Sequence, residues 1–142
     1  MKIDKRIEIV CTTVTTLSSM SEPSRLALQA VLATRYDRVG ITIVNNLADL
    51  KALVASAPDL VFLGMLFIPT NSALGRDDPE KIWISDYLDS RGIAYTGSTR
   101  SAQELELDKS LSKRRVLQAG LATSPSFVAR RHNLPKAADI SL

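Results

Sequence analysis

Short runs of β-branched and aliphatic residues alternate along this chain with segments of helical spacing, and this alternation is the feature that most constrains the fold. The predicted strands are residues 6–12, 39–44, 59–63 and 93–95. The predicted helices between them are residues 21–34, 46–56 and 80–90. Because parallel strands need a long crossover, the alternation predicts an α/β fold with a three-layer, doubly wound, mainly parallel sheet.

The first helix is predicted to begin at Ser21-Glu22-Pro23. A serine can cap a helix, and proline is tolerated in the first turn because its missing N–H would be unpaired there anyway. The apolar face of this helix is predicted from its spacing to consist of Leu26, Ala27, Ala30, Val31 and Ala33-Thr34.

Two helical pieces are predicted after the fourth strand, at residues 101–106 and 109–119. Gly92 and Gly120 follow predicted helices and are suited to C-caps, because glycine adopts the left-handed conformation easily. Residues 125–129 are predicted to form an edge strand, and residues 130–142 a surface excursion.

The composition excludes several classes of function. With Cys11 as its single cysteine and His132 as its single histidine, the chain holds no intrachain disulfide, Cys-rich metal site or Ser-His-Asp triad. Cys11 lies in an apolar run and is predicted to be a small buried side chain. The net charge of +3 and the few aromatic residues argue against nucleic-acid binding. No apolar run is long enough for a membrane span, and so a cytoplasmic protein is expected.

A ligand site in such a sheet is expected at the carboxyl ends of the strands. The loop after the first strand, residues 12–22, contains no glycine, which excludes a dinucleotide-binding fingerprint and a P-loop there. The first and third strands end in Cys11-Thr12 and Leu63-Gly64 rather than in acidic residues, which excludes a receiver-type phosphorylation site.

The turn Tyr95-Thr96-Gly97-Ser98 follows the fourth strand and leaves two interpretations open. Gly97 would permit a positive φ, and free N–H groups there could bind a carboxylate or phosphate. Alternatively, the turn is only a tight strand-to-helix connection. Likewise, Asp108 could cap the following helix, and Lys109 could be an ordinary solvated lysine.

The segment GIAYTGSTRSAQELELDKSLSKRRVLQAGLATSPSF, residues 92–127, resembles the junction between the first and second domains of D-alanine–D-alanine ligases. These ATP-grasp enzymes join a carboxylate to an amine through an acyl phosphate. SEPSRLALQAVLA is similar to the family's Glu-Val-Ser plus helix, and PDLVFLG to its third strand. The resemblance covers about residues 6–127 and implies a Rossmann-like pre-ATP-grasp domain.

The resemblance implies site residues at three positions. Glu22 falls on a glutamate that helps to orient the first D-alanine, and Ser24 falls on the serine beside it; both are thereby implicated in catalysis. Lys109 falls on a lysine that approaches the ATP phosphates. Alternatively, Glu22 is only an acidic residue at a helix start, where the helix dipole stabilises it, and Lys109 is an ordinary surface lysine.

The chain departs from the family in two places. The first loop of the family is Gly-rich, whereas here it is rich in Thr and Ser. The family has a His-Gly pair after the third strand, and the aligned positions here hold Leu66 and Phe67. His132 lies in the tail and is no obvious substitute, so the specificity for D-alanine is in question.

Residues 1–142 contain no Glu-x-Asn-like metal pair and no Gly-rich clamp loop. We therefore expect a substrate-side domain at residues 1–124, the start of a linker at 125–142, and a downstream ATP-grasp domain that binds ATP and Mg²⁺. The fragment alone is expected to bind neither cofactor, to hold no metal and to be inactive.

The implied partners are D-alanine or another small amino acid and, through this domain, a second copy in a homodimer. The resemblance also implies a role in peptidoglycan biosynthesis of the cell wall. The alternatives are a non-catalytic α/β module for dimerisation or partner binding and a flavodoxin-like small-ligand domain.

Overall fold

The computed structural model describes residues 1–126 of a chain that divides into two compact units, Met1–Arg100 and Ser101–Leu142. The first unit contains, in chain order, β1 (Ile3–Cys11), α1 (Glu22–Ala33), β2 (Tyr36–Ile43), α2 (Leu47–Ala55), β3 (Leu60–Leu63), β4 (Phe67–Ile68), β5 (Ile82–Trp83) and α3 (Ile84–Asp89). Helix α4 (Arg100–Leu107) begins at the unit boundary, and α5 (Lys109–Gln118) follows it.

The main sheet has three parallel strands in the order β2-β1-β3. In the central register, Ile9 of β1 lies opposite Ile41 of β2 and Phe62 of β3. The neighbouring residues Val10 and Cys11 are both fully buried although their side chains point to opposite faces of the sheet. The predicted α/β class with a parallel sheet is therefore confirmed, and so is the burial of Cys11.

The predicted fourth strand is reduced to a single parallel bridge between Val61 and Tyr95. Val61 donates a backbone hydrogen bond to Ala94 and accepts one from Thr96, each with an N–O distance of 2.9 Å. The pairing ends there because the chain turns at Gly97, which has a φ of +101°.

The helix predicted at residues 80–90 begins only at Ile84, and that part of the prediction is wrong. Residues Ile82 and Trp83 instead form β5, which pairs antiparallel with β4. The edge of the Phe67 ring packs against Trp83, with 5.5 Å between the ring centroids. The pairing of two large aromatic side chains outweighs the helical spacing at this point.

Helix α1 begins as predicted, because the side chain of Ser21 caps it by accepting a hydrogen bond from the Ser24 N–H at 3.3 Å. Its predicted apolar face is wrong: Leu26 is 51% exposed and Val31 65% exposed. The half-buried stripe instead includes Leu28 and Leu32. Both stripes carry large apolar side chains, so helical spacing does not determine which of them faces the sheet.

The core of the first unit lies between the sheet and α2, α3 and the chain that follows β3. It consists of Val10, Val44, Leu50, Leu53, Val61, Met65, Ile68, Ile84 and Leu88. Helix α2 is capped by the side chain of Asn46, which accepts a hydrogen bond from the Asp49 N–H at 3.0 Å. This packing holds in place the carboxyl ends of the strands, where a ligand site is expected.

In the second unit, Asp108 caps α5 as predicted, because its carboxylate accepts a hydrogen bond from the Leu111 N–H at 2.9 Å. Gly92 and Gly120 have φ values of +65° and +75°, as their predicted capping positions require. Residues 121–126 form neither helix nor strand. Most of the predicted edge strand at 125–129, and all of residues 130–142 with His132, lie outside the described residues.

Candidate functional site

A pocket of about 580 Å³ opens where β1 ends and α1 begins. This volume lies within the range typical of small-molecule sites, about 300–1,000 Å³. Six of the nine lining residues carry a hydroxyl group. The lining residues are Thr12, Thr13, Thr15, Ser18, Ser19, Met20, Ser21, Glu22 and Arg25.

The loop that forms one side of the pocket is fixed to the end of β3. Ser18 makes an antiparallel bridge with Met65, and the Ser19 N–H donates to the Gly64 carbonyl at 2.9 Å. Gly64 itself lies against β1, where a Cβ at this position would stand 2.6 Å from the backbone oxygen of Val10. Only glycine fits that approach without a backbone shift, and so Gly64 lets the loop close over the sheet edge.

Asn45 holds the opposite side of the pocket. Its side-chain oxygen accepts hydrogen bonds from the Thr12 hydroxyl at 2.7 Å, the Thr13 N–H at 3.0 Å and the Thr13 hydroxyl at 3.1 Å. The Asn45 N–H donates to the Asp49 carboxylate at 2.9 Å. This network joins the carboxyl ends of β1 and β2, because Thr12 and Asn45 both follow the last residues of their strands closely.

The first turn of α1 brings an acid and a base to the pocket wall. Glu22 and Arg25 lie three residues apart, on one side of the helix. The side chain of Glu22 is 71% exposed and that of Arg25 only 20% exposed, and their closest oxygen and nitrogen are 4.0 Å apart. The two charges therefore face the same space with only a long ion pair between them.

The structure places the three predicted site residues differently. Glu22 lines the pocket. Ser24 is not a lining residue, but its hydroxyl lies 2.8 Å from the hydroxyl of Ser21, which is one. Lys109 is an exposed residue in the first turn of α5, in the second unit. Thus Glu22 and Ser24 come together at the start of α1.

The Thr-Gly-Ser turn does not line the pocket. The hydroxyl of Thr96 accepts a hydrogen bond from the Leu63 N–H at 3.1 Å, which fastens the turn to β3. Gly97 has the positive φ predicted for it. The contacts of Thr96 and the φ of Gly97 are those of a tight strand-to-helix connection.

Of the residues at the positions of the His-Gly pair, Phe67 begins β4 and pairs with Trp83 of β5, and Leu66 directly precedes that strand. The Leu66 carbonyl accepts a hydrogen bond from the Ile84 N–H at 3.0 Å, and Phe67 is 5% exposed. Neither residue lines the pocket. These two positions hold the fold together and offer no polar side chain to a ligand.

Asp78, in the loop after β4, has a carboxyl group with a strongly lowered pKa. The Asn71 N–H donates to it at 2.9 Å, and further hydrogen bonds come from the Glu80 N–H and from the N–H and hydroxyl of Thr70. These bonds stabilise the charged form and lower the pKa of Asp78 to about 2. Burial, together with a hydrogen bond to Asp89, raises the pKa of Tyr95. Both groups lie outside the pocket lining and organise loops.

Two features of the pocket were not predicted from the sequence. Arg25 follows Glu22 by three residues, and this spacing alone would have placed it on the same helix face. Nothing in the sequence on either side of Asn45 indicates that its side chain accepts a hydrogen bond from Thr12. Among residues 1–126, no group of three or more acidic, His or Cys side chains could hold a metal ion. Nor does any helix in that part of the chain reach the length and hydrophobicity needed to cross a membrane.

No family model matches the chain, but it is similar to individual known proteins. The chain is 36% identical over 65 residues to a D-alanine–D-alanine ligase of Chlorobium limicola, over 46% of this chain and 17% of the relative. It is 36% identical over 89 residues to a D-alanine–D-alanine ligase of Moorella thermoacetica, over 63% of this chain and 26% of the relative. The matches thus span only a fraction of either ligase.

Among solved structures, the fold is similar to that of a D-alanine–D-alanine ligase from Bacillus anthracis complexed with ATP. The TM-score is 0.59 at 19% sequence identity, and the likeness covers 94% of this chain and 41% of that one. The predicted resemblance to D-alanine–D-alanine ligases is therefore confirmed in both sequence and fold.

Proposed function

We propose that this chain is the substrate-side α/β domain of an ATP-dependent carboxylate–amine ligase that resembles D-alanine–D-alanine ligase. In the whole protein, one amino acid would be activated as an acyl phosphate and a second amine would attack it to form a dipeptide-type bond. The observation that carries the proposal is the pocket at the carboxyl end of β1, which is lined by Glu22 and by hydroxyl-bearing residues. The ligases of C. limicola and M. thermoacetica support the substrate class.

Glu22 is proposed to hold the ammonium group of the first amino acid. Its carboxylate lines the pocket, is largely exposed, and makes only a long ion pair with Arg25. Ser24 would act as a positioning residue, because its hydroxyl is hydrogen-bonded to the hydroxyl of Ser21 on the pocket wall. A charged acceptor with a fixed neighbour is suited to orienting an amine.

ATP and Mg²⁺ would be held mainly by a downstream ATP-grasp domain. The described residues do not fit a magnesium–nucleotide site, because they contain no cluster of metal ligands and the pocket loop has no glycine-rich phosphate cradle. Lys109 would approach the nucleotide phosphates, for which an exposed lysine is suited as a mobile point charge. The chain alone is proposed to be inactive, as the ATP complex of the B. anthracis ligase is a longer chain.

The substrate would be D-alanine or another small amino acid. Leu66 and Phe67 leave the pocket without the histidine of the family, so contacts to the substrate must come from other residues. The three-layer, doubly wound form of the sheet, a cytoplasmic location and a role in cell-wall synthesis belong to the same proposal. Burial of both faces of β1 supports the three-layer form.

The second candidate function is a non-catalytic module for dimerisation or partner binding. The exposed stripe of α1 favours it, because Leu26 and Val31 lie with Ala27 and Ala30 on a face that no other described residue buries. A homodimer through this face is compatible with the ligase as well. Sedimentation of the chain and of a Leu26→Lys variant tests this interface: a dimer should become a monomer in the variant.

The ligase proposal is tested with the coding sequence expressed together with whatever follows Leu142. ATP-dependent phosphate release is measured with D-alanine and with other small amino acids. Glu22→Gln should lower kcat/KM for the amino acid at least about tenfold, the effect of removing one charged hydrogen-bond acceptor. Asp37→Asn, at an exposed residue outside the pocket lining, is the matched control. Failure of every amino acid to stimulate phosphate release would reject the proposal.

A further inference from the structure

The pocket contains one basic side chain whose bonding capacity is largely unused. Arg25 lines the pocket and its side chain is only 20% exposed, yet its guanidinium makes only a long ion pair, with Glu22 at 4.0 Å. A guanidinium carries five N–H donors in a planar fork. Among the described residues no buried side-chain nitrogen lacks a hydrogen-bond partner, so the unused donors of Arg25 reach the water in the pocket, where an anionic ligand can accept hydrogen bonds from them.

The neighbouring charge restricts which anion can enter. Glu22 stands on the same wall, and its carboxylate would repel a phosphate dianion more strongly than a singly charged group. An α-amino acid carries an ammonium and a carboxylate on one carbon, so it can satisfy Glu22 and Arg25 together. The surrounding hydroxyl side chains both donate and accept hydrogen bonds and suit either end of such a zwitterion.

We infer that Arg25 binds the carboxylate of the amino-acid substrate in this pocket while Glu22 binds its ammonium group. The inference rests on the proposed function and adds a specificity-determining residue to it. The planar fork of Arg25 matches a carboxylate through two parallel hydrogen bonds. It would supply a substrate contact that Leu66 and Phe67 cannot make.

The experiment follows the backbone amide signals of the pocket residues in NMR titrations of the 142-residue chain. The probes are D-alanine, D-alaninol, which lacks the carboxylate, propionate, which lacks the ammonium, and inorganic phosphate. The variants are Arg25→Gln and Arg25→Lys. The control is Arg35→Gln, at an exposed residue just after α1 that does not line the pocket.

D-alanine should bind the unaltered chain at least tenfold more tightly than D-alaninol, because a hydrogen-bonded charge is worth roughly 10- to 100-fold. Arg25→Gln should remove this preference, Arg25→Lys should keep part of it, and Arg35→Gln should change nothing. The D-alanine and D-alaninol comparison needs no variant, so it remains decisive if Arg25→Gln does not fold.

The outcomes separate the inference from the proposed function. Equal binding of D-alanine and D-alaninol, or unchanged D-alanine binding in Arg25→Gln, would overturn the role of Arg25 and leave the ligase proposal intact. Phosphate binding more tightly than D-alanine would overturn it in favour of a phosphate subsite. If no amino acid shifts any pocket signal, both the role of Arg25 and the amino-acid site are wrong.

Discussion

Replacing Gly64 by alanine should destabilise the fold and loosen the pocket loop at the same time. The added Cβ would lie 2.6 Å from the Val10 carbonyl oxygen, about 0.8 Å inside the 3.4 Å at which ordinary van der Waals contact begins. That oxygen belongs to the central strand, and it already accepts a hydrogen bond from the Gly64 N–H at 2.7 Å. Because both groups are backbone, neither a rotamer change nor a flexible side-chain end can relieve the clash.

The expected cost follows from two contributions. Overpacking of this kind costs about 1–3 kcal/mol, and weakening of the Gly64–Val10 hydrogen bond adds about 1 kcal/mol. We therefore expect Gly64→Ala to lose about 2–4 kcal/mol of unfolding free energy, a large share of the roughly 5–15 kcal/mol of a typical domain. The shift should also disturb Ser19, whose N–H bonds to the Gly64 carbonyl.

Urea denaturation followed by the fluorescence of Trp83 measures this cost, since Trp83 is the chain's single tryptophan and is buried in the same unit. The matched control is Gly92→Ala. A Cβ at Gly92 meets no atom within 4 Å, and its φ of +65° predicts a cost of only about 1–2 kcal/mol. If Gly64→Ala is no more destabilising than Gly92→Ala, the close approach between β1 and the residue after β3 is not the constraint inferred here.

Three further predictions concern other parts of the first unit. Leu50→Ala should cost about 2–5 kcal/mol in urea denaturation, because Leu50 is fully buried in the core, and a loss below 1 kcal/mol would contradict that placement. Asn45→Ala should cost about 1–2 kcal/mol in the same assay and shift the amide signals of Thr12, which loses its hydrogen-bond acceptor; unshifted signals would contradict the network. The folded pKa of Asp78, about 2, lies below its usual value, so its charge stabilises the fold above the unfolded pKa and this stability is lost as the pH falls towards 2. Asp78→Asn should therefore flatten the pH dependence of urea stability below about pH 5, whereas Asp77→Asn, at the exposed neighbour, should not.

The sequence predicted the parts of the fold that depend on local chemistry. Ser21 and Asp108 each occupy the helix cap predicted for them, because a short polar side chain at a helix start can accept a hydrogen bond from an N–H of the first turn. The three parallel strands were equally predictable, since β-branched runs between helices leave few alternatives.

The parts that failed depend on contacts between distant residues. Spacing cannot distinguish the two apolar stripes of α1, because both repeat at helical intervals. Leu28 is half-buried and Leu26 is exposed because of how the helix packs on the sheet, which spacing does not reveal. Likewise, the helical pattern before Ile84 gives no sign that Trp83 will pair with Phe67 across β4 and β5. The site shows the same limit at Asn45, whose bond to Thr12 joins two strand ends that are distant in sequence. Glu22, in contrast, was identified by resemblance, and the place of Arg25 follows from its spacing to Glu22.

The composition of the pocket loop bears directly on what the pocket can bind. A glycine-rich loop offers backbone N–H groups, which only donate hydrogen bonds and therefore favour anions such as phosphate. The loop here offers hydroxyl groups instead, for example those of Thr15 and Ser19, and a hydroxyl can donate to a carboxylate or accept from an ammonium group. With Glu22 and Arg25 contributing opposite charges to the same wall, the pocket has no net preference for anions. Its chemistry therefore favours a small zwitterion over a nucleotide, and in the ligase proposed above the nucleotide would bind to other residues.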